Sequence, residues 1–201
     1  PMRYLLALDE GTTSARAALY DENGRRLAIE SRAVDCRYPH PGWVEQDAGQ
    51  LLERQLDAAK ALLSRRAVQA NEITGIGITN QRESTLVWDR KTGAPVGPAI
   101  NWQCRRTAGF CAELAQSKDA ELIRKKSGLV IDAYFSASKL RWILENVEGA
   151  RARAEAGELL FGTIDTWLIW HLTGGKEHVT DVSTASRTFL RNLSTDEWED
   201  D

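Results

Sequence analysis

Cysteine is scarce: Cys36, Cys104 and Cys111 are the three in the chain, and no Cys-x-x-Cys pair occurs. An odd, scattered set supports neither a disulfide framework nor a zinc site and fits a reducing cytoplasm. Cys104 and Cys111 are seven apart, a spacing that places both on one face of a helix. No apolar run approaches the ~20 residues a membrane-spanning helix needs, and no signal-peptide pattern is read. Basic charge is not in excess either. Lys and Arg number 26 against 29 Asp and Glu, a net charge of −3, so no field exists to hold nucleic acid or an anionic membrane. Gly-x-x-x-x-Gly-Lys-Ser/Thr, His-Glu-x-x-His and Gly-x-Ser-x-Gly are all missing, which removes the usual support for P-loop, zincin and serine-hydrolase chemistry. Gly75-Ile-Gly77 lacks the third glycine of a dinucleotide fingerprint and reads as strand.

What is present is an ordinary globular composition, 42% hydrophobic and 27% charged over 201 residues, enough for one domain or two with a sizeable core. The organising stretch is Tyr4 to Tyr20. An apolar run, Leu5 to Leu8, stops at Asp9; Gly11, Thr12, Thr13 and Ser14 follow; a second apolar run covers Ala17 to Tyr20. This reads as strand, tight turn and returning strand. A buried strand that stops at a carboxylate presents it at an open end. A turn dense in backbone N–H groups and hydroxyls receives phosphate oxygens, and a carboxylate beside phosphates anchors Mg²⁺. Arg16, two past Ser14, is placed to pair with a phosphate. The same residues also make an ordinary hairpin turn, so the stretch alone does not decide.

Further along, Arg26 to Val34 is a third strand, making a meander. Pro39 and Pro41 bracket His40 in a loop. Asp47 and Gln50 form a capping box, and Leu52, Leu56, Ala59 and Leu63 give the helix behind it a buried stripe. Ile73 to Thr79 is a strand expected to run parallel to the first, giving a mixed sheet. Leu86 to Trp88 is another. From Asn101 to Gly157 the pattern is mostly helical, with helices expected over Cys104 to Leu114, about Asp119 to Lys126, and from Ser136 onward through Leu140, Ile143, Leu144 and Val147. Arg151 and Arg153 read as a solvated helix face. Leu159 to Phe161 is a buried strand and Thr163 to Leu172 a buried helix. Thr195 to Asp201 contains nothing that closes a fold, as in a piece of a longer protein.

Asn80-Gln-Arg-Glu-Ser84 is a second polar cluster, and it follows a sheet strand, where α/β folds place ligands. Arg82 and Glu83 set a fork of donors beside a pair of acceptors. Such a pair grips a polyol, each hydroxyl donating to the carboxylate and accepting from the guanidinium. Trp102 and Tyr134 are aromatic residues beside polar loops, suited to the C–H face and a hydroxyl of a sugar or polyol. Singly, each of these residues also fits core packing or a surface ion pair.

Taken in order, the stretches Ala7 to Arg16, Pro41 to Glu45, Gly77 to Glu83, Trp102 to Ala108, Gly128 to Ser136, Tyr134 to Asn146 and Gly157 to Trp170 strongly resemble the amino-terminal half of the FGGY carbohydrate kinases. Within them the branch acting on glycerol is indicated by Arg82, Glu83, Trp102 and Tyr134. The resemblance runs from Tyr4 to about Trp198. It implies an α/β, ribonuclease H-like domain of the actin and hexokinase ATPase type, with a mixed β-sheet flanked by helices. It implies a cytoplasmic, ATP-dependent and Mg²⁺-dependent phosphotransferase, homo-oligomeric as the full-length protein, that makes glycerol 3-phosphate. Asp9 would hold the metal; Thr12, Thr13, Ser14 and Arg16 would touch ATP phosphates; Arg82, Glu83, Trp102 and Tyr134 would bind glycerol. Family members for xylulose or gluconate share the first motif, and an actin-like nucleotide-binding module shares the first hairpin. Two departures stand out. Glu10 occupies a position where the family usually has Gln, and an extra carboxylate beside a triphosphate is unfavourable unless it points away or pairs with an arginine. Residues 1–201 are read as the N-terminal domain alone. The catalytic base and most of the adenine pocket are expected in a C-terminal domain beyond them, so the piece alone is expected to be inactive.

Overall fold

The structure, a computed structural model, describes residues 3–199. In chain order the first elements are β1 (Tyr4–Glu10), β2 (Ser14–Asp21), β3 (Arg26–Ala33), β4 (Glu45–Gln46), α1 (Ala48–Arg66), a 3-10 turn (Ala70–Glu72) and β5 (Ile73–Asn80). Then come β6 (Leu86–Asp89), β7 (Ala99–Ile100), α2 (Ala108–Ala115), α3 (Ala120–Ser127), α4 (Ser136–Asn146), α5 (Ala150–Glu155), β8 (Leu159–Gly162), α6 (Ile164–Leu172), α7 (Val182–Ala185), β9 (Arg191–Asn192) and β10 (Glu197–Trp198). These form two compact units, one of residues through Cys36 with Gln46–Gln81, the other of Arg37–Glu45 with the chain from Arg82 onward. The mixed α/β architecture is the one expected.

The first unit is a four-stranded sheet in the order β3-β2-β1-β5. β1 pairs antiparallel with β2, β2 antiparallel with β3, and β1 parallel with β5, so the sheet is mixed as predicted. Strand alternation sends Leu6 and Leu8 of β1, with Ala17 and Leu19 of β2, into a core with Ala58, Ala59 and Leu62 of α1. Asp47 caps α1 by accepting from the Gln50 N–H at 2.9 Å. The reciprocal half of the expected box is not made. The Gln50 amide instead bonds Asp35, donating to Oδ2 and accepting from its backbone N–H, both at 2.9 Å. The buried face of α1 is Leu51, Gln55, Ala58, Ala59 and Leu62, not the stripe through Leu52, Leu56 and Leu63, which are half-buried. Gln55 takes a core position because its amide donates to the Arg16 carbonyl at 2.8 Å.

In the second unit β6 pairs antiparallel with β8, and the fully buried Trp88 meets Trp167 of α6 edge to face at 5.2 Å. A Cβ on Gly162 would lie 2.7 Å from the Trp88 ring, so this contact requires glycine. The helix expected from Cys104 begins only at Ala108. Before it the chain turns, Asn101 Oδ1 accepting from the Gln103 N–H at 2.9 Å and the Arg105 carbonyl from Ala108 N–H at 3.0 Å. Cys104 thus precedes the helix that carries Cys111, although both are buried. Arg153 is not purely solvated, since its guanidinium bonds Asp89 at 2.6 Å. At the end of the chain β9 and β10 form a small hairpin where no element is expected from sequence; residues 200 and 201 lie outside the described residues. Among the described residues no helix is long and apolar enough to cross a membrane.

Candidate functional site

The first unit holds the polar turn between β1 and β2. Gly11 N–H donates to the Ser14 carbonyl at 3.0 Å, and a Cβ on Gly11 would meet that same oxygen at 3.0 Å, so the turn closes tightly only around glycine. Each of its next carbonyls is engaged. The Gly11 oxygen accepts from Gln81 Nε2 at 3.2 Å, the Thr12 oxygen from Gln46 Nε2 at 2.9 Å, and the Thr13 oxygen from Val34 N–H at 3.0 Å. Gln81 Nε2 also donates to Gln46 Oε1 at 2.8 Å, so two buried amides act as one latch. Carbonyl oxygens would repel a phosphate. With all three occupied by donors, the turn is electrostatically suited to an anion, its Thr12, Thr13 and Ser14 hydroxyls adding further donors. Sequence reasoning misses Gln46 and passes over Gln81. Nothing marks a glutamine as a latch until the fold carries it beneath the turn.

Asp9 and Arg16 are direct cross-strand partners, and their side chains form an ion pair at 3.2 Å with 39% and 48% of each exposed. Such a pair is weak and easily exchanged for other partners. Among the described residues no group of three or more His, Cys, Asp or Glu is arranged to hold a metal ion. A single accessible carboxylate beside an anion-receiving turn fits Mg²⁺, which takes one or two carboxylates and completes its shell with phosphate oxygens and water.

Glu10 resolves the charge problem raised by its sequence. It follows Leu6 and Leu8 onto the buried face of β1 and is fully buried, with neither carboxylate oxygen bonded among the described residues. Burial, and secondarily the neighbouring Asp9 charge, push its carboxyl up to about 9. It is therefore protonated and neutral at pH 7, close in shape and charge to glutamine. No additional negative charge is presented to a triphosphate.

The second unit holds the polyol candidates. Glu83 is 3% exposed, and its Oε1 accepts from Arg187 Nε at 2.7 Å. The Arg187 guanidinium also lies over the rings of Tyr134 and Phe135, 5.7 and 4.8 Å from their centroids. Trp102 and Tyr134 meet edge to face at 5.3 Å. The Trp102 N–H donates to Ser84 Oγ at 3.1 Å, and Ser136 Oγ donates to the Glu83 carbonyl at 3.2 Å, which ties the three segments together. Arg187 thus joins the Glu83 carboxylate to the Tyr134 ring, and Trp102 meets that ring in turn. Arg82 is exposed and forms no ion pair among the described residues, so the guanidinium on the Glu83 carboxylate is not that of its chain neighbour. The Tyr134 turn is fixed at its start by Asp132, which accepts from the Tyr134 N–H at 2.8 Å and pairs bidentately with Arg105 at 2.7 and 3.3 Å. The Arg105 hydrogen bonds hold the Asp132 carboxyl below the usual carboxylate range. Asp165 and Asp181 serve local structure. Asp165 accepts from Thr163 and Thr180, both at 2.5 Å, and Asp181 caps Thr184 at 2.6 Å.

Comparison with known proteins bears on the family and the fold. Residues 4–201 match the FGGY family of carbohydrate kinases, N-terminal domain. The chain is 53% identical over 200 residues to glycerol kinase 2 of Thermotoga maritima, covering all of this chain and 40% of that protein. It is 55% identical over 199 residues to glycerol kinase of Carboxydothermus hydrogenoformans, covering 99% of this chain and 40% of that protein. Among solved structures it is similar to Plasmodium falciparum glycerol kinase with ADP, with a TM-score of 0.90 at 32% identity, covering 99% of this chain and 40% of that one. It is also similar to xylulose kinase from Rhodospirillum rubrum, with a TM-score of 0.81 at 27% identity, covering 98% and 39%. The chain spans about 40% of the length of these relatives. With the family match running over nearly its whole length, and the mixed sheet and helices of these kinases reproduced in its fold, the chain belongs to the FGGY family of carbohydrate kinases, where it corresponds to the N-terminal domain.

Proposed function

We propose that the protein containing this chain transfers the γ-phosphoryl group of ATP to glycerol, giving sn-glycerol 3-phosphate. Residues 1–201 supply the polyol-binding and phosphate-binding half, and a C-terminal domain supplies the base and most of the adenine pocket. The observation that carries the reading is the chain of contacts in which Arg187 joins the buried Glu83 carboxylate to the Tyr134 ring and that ring meets Trp102. The rings would pack on the carbon backbone of the polyol. The Glu83 carboxylate would accept from a hydroxyl, and the exposed Arg82 guanidinium would donate to one. Relatives named glycerol kinases at 53–56% identity support the choice of substrate.

Phosphoryl transfer asks little covalent work of a protein and depends on positioning and charge neutralisation. Thr12, Thr13, Ser14 and Arg16 would bind the ATP phosphates, with Arg16 leaving its weak pair with Asp9 for a phosphate oxygen. Asp9 would hold Mg²⁺, which when bound neutralises phosphate charge. Calorimetry of glycerol binding to the full-length protein tests the reading, with Arg82→Ala as control. Binding by the wild type, weakened on the order of tenfold or more in the variant, is expected. Equal affinity of both proteins would remove Arg82 from the site. Phosphorylation of xylulose or gluconate is the rival reading, since a xylulose kinase shares the fold. A panel of polyols, pentuloses and gluconate separates the two, and a higher kcat/KM for a pentulose or gluconate than for glycerol would overturn the glycerol assignment.

A further inference from the structure

We propose that Lys139 is a positioning residue for the polyol site, its buried ammonium clamping the backbone of the turn that carries Tyr134. This rests on the polyol-kinase reading above. Lys139 lies in the first turn of α4 and is completely buried. Its Nζ reaches back past the start of the helix and donates to three consecutive carbonyls, Ala133 at 2.6 Å, Tyr134 at 2.7 Å and Phe135 at 3.1 Å. An ammonium has three donors, and here each finds one acceptor. Among the described residues no carboxylate bonds it.

The placement runs against stability in two ways. A buried cation without a counter-ion is costly, and a positive charge at a helix N-terminus opposes the helix dipole. A leucine or methionine would fill the same space without either cost. What a hydrocarbon cannot do is hold three carbonyls in a fixed direction. The Ala133 and Tyr134 carbonyls precede the N-cap, where no helical N–H reaches them, while the carbonyl of the N-cap Phe135 is also the first acceptor of the helix.

The consequence falls on Tyr134. Its N–H is bonded to Asp132 and its carbonyl to Lys139, so its peptide is fixed on both sides and the phenol projects from an anchored base. That ring meets Trp102 and lies under Arg187. Loosening the base by an ångström would move the ring relative to any polyol held against it, and displacement on that scale costs on the order of a hundredfold in well-fitted sites.

The clamp is also sensitive to pH. Burial lowers the Lys139 ammonium to about 8, although nearby Cys104, Glu83, Cys111 and Asp132 act in the opposite direction. Both of these carboxylates are engaged elsewhere, Glu83 with Arg187 and Asp132 with Arg105. A neutral amine has two N–H groups for three carbonyls and turns a lone pair toward the third.

The test uses the full-length protein and steady-state kinetics for both substrates from about pH 7 to about pH 9. In the wild type, KM for the polyol should rise above about pH 8 while KM for ATP changes less than about twofold. Lys139→Met should raise the polyol KM on the order of tenfold at neutral pH, leave the ATP KM within about twofold, and abolish the pH dependence of the polyol KM. A purely structural lysine would instead lower melting temperature and kcat without separating the two KM values. The inference is overturned by a wild-type polyol KM that is flat to pH 9, an unchanged polyol KM in the variant, or both KM values rising in proportion. Should Lys139→Met fail to fold, the wild-type pH profile decides. A wild type that phosphorylates no polyol or ketose at all overturns the proposed function, and this inference with it. An active wild type with unmoved KM values overturns this inference alone.

Discussion

Arg187 determines what the carboxylate of Glu83 is able to do. The carboxylate is nearly inaccessible, 4% exposed, and its bonded cation, 26% exposed, arrives from a residue 104 positions away. Breaking a buried pair by removing one partner costs about 3–5 kcal/mol, because the remaining charge is stranded. Arg187→Met should therefore lower the melting temperature and raise the glycerol KM on the order of tenfold or more, with Arg187→Lys recovering part of both. Thermal melts and KM measurements on the full-length protein check this; a glycerol KM within about twofold of wild type would show that Arg187 is not part of the polyol site. The same residue shows where sequence reading stops. Glu83, Trp102 and Tyr134 are legible because acidic and aromatic residues beside polar loops are unusual enough to single out. Arg187 is not, because it sits in Thr184-Ala-Ser-Arg-Thr188 with no spacing or pattern of its own, and only the tertiary fold chooses which arginine meets Glu83. Glu10 is legible in principle. Strand alternation carries Leu6, Leu8 and Glu10 to one face and leaves Asp9 on the other, but the unbroken apolar run hides that period.

At the scale of elements, the strands and the cap at Asp47 are recoverable because period-two patterning and local side-chain bonds are written within a few residues. The face of α1 is misread because a glutamine occupies a core position, which hydrophobic periodicity cannot anticipate. The amides beneath the turn between β1 and β2 follow the same logic and carry a prediction. Gln46→Leu removes the donor to the Thr12 carbonyl and the acceptor for Gln81. It should raise the ATP KM on the order of tenfold while the glycerol KM stays within about twofold; a change in the glycerol KM alone would refute the latch. α6 carries a pH effect. His171 packs against Trp167 and Trp170 at 4.1 and 4.9 Å, and its Nε2 is buried with no bond among the described residues. The C-terminal end of a helix favours a charged imidazole, yet burial outweighs this and lowers the His171 pKa below its ordinary value. A folded pKa below the unfolded one means that the stability contribution is present above about 6.5 and is lost as pH falls through the folded value. Melting temperature should therefore decline as pH falls below about 6.5, and His171→Phe should flatten that part of the curve. Identical slopes in both proteins would assign acid sensitivity elsewhere.

For the whole molecule, the decisive fact is that the chain spans about 40% of the length of the kinases it resembles. Apart from Glu10, which is buried and protonated, the carboxylates singled out within it are already committed. Asp9 pairs with Arg16, Glu83 with Arg187, Asp132 with Arg105, Asp165 accepts two threonine hydroxyls, and Asp181 caps a helix. None of these five is free to take the proton from an attacking hydroxyl, whereas a positioned general base contributes about 10²- to 10⁴-fold to a rate. Contacts to the adenine that orient ATP would contribute further through positioning. The isolated 201-residue chain should therefore show turnover lower than the full-length protein by at least about 10⁴-fold at saturating ATP, Mg²⁺ and glycerol, measured by coupling glycerol 3-phosphate formation to a dehydrogenase. A circular dichroism spectrum and melt of the same sample establish whether the piece is folded. A folded piece without turnover places the missing chemistry in the C-terminal domain. Turnover within about tenfold of the full-length rate would mean that one of these committed carboxylates leaves its partner to act as the base, and the roles of Asp9, Glu83 and their partners would have to be reassigned.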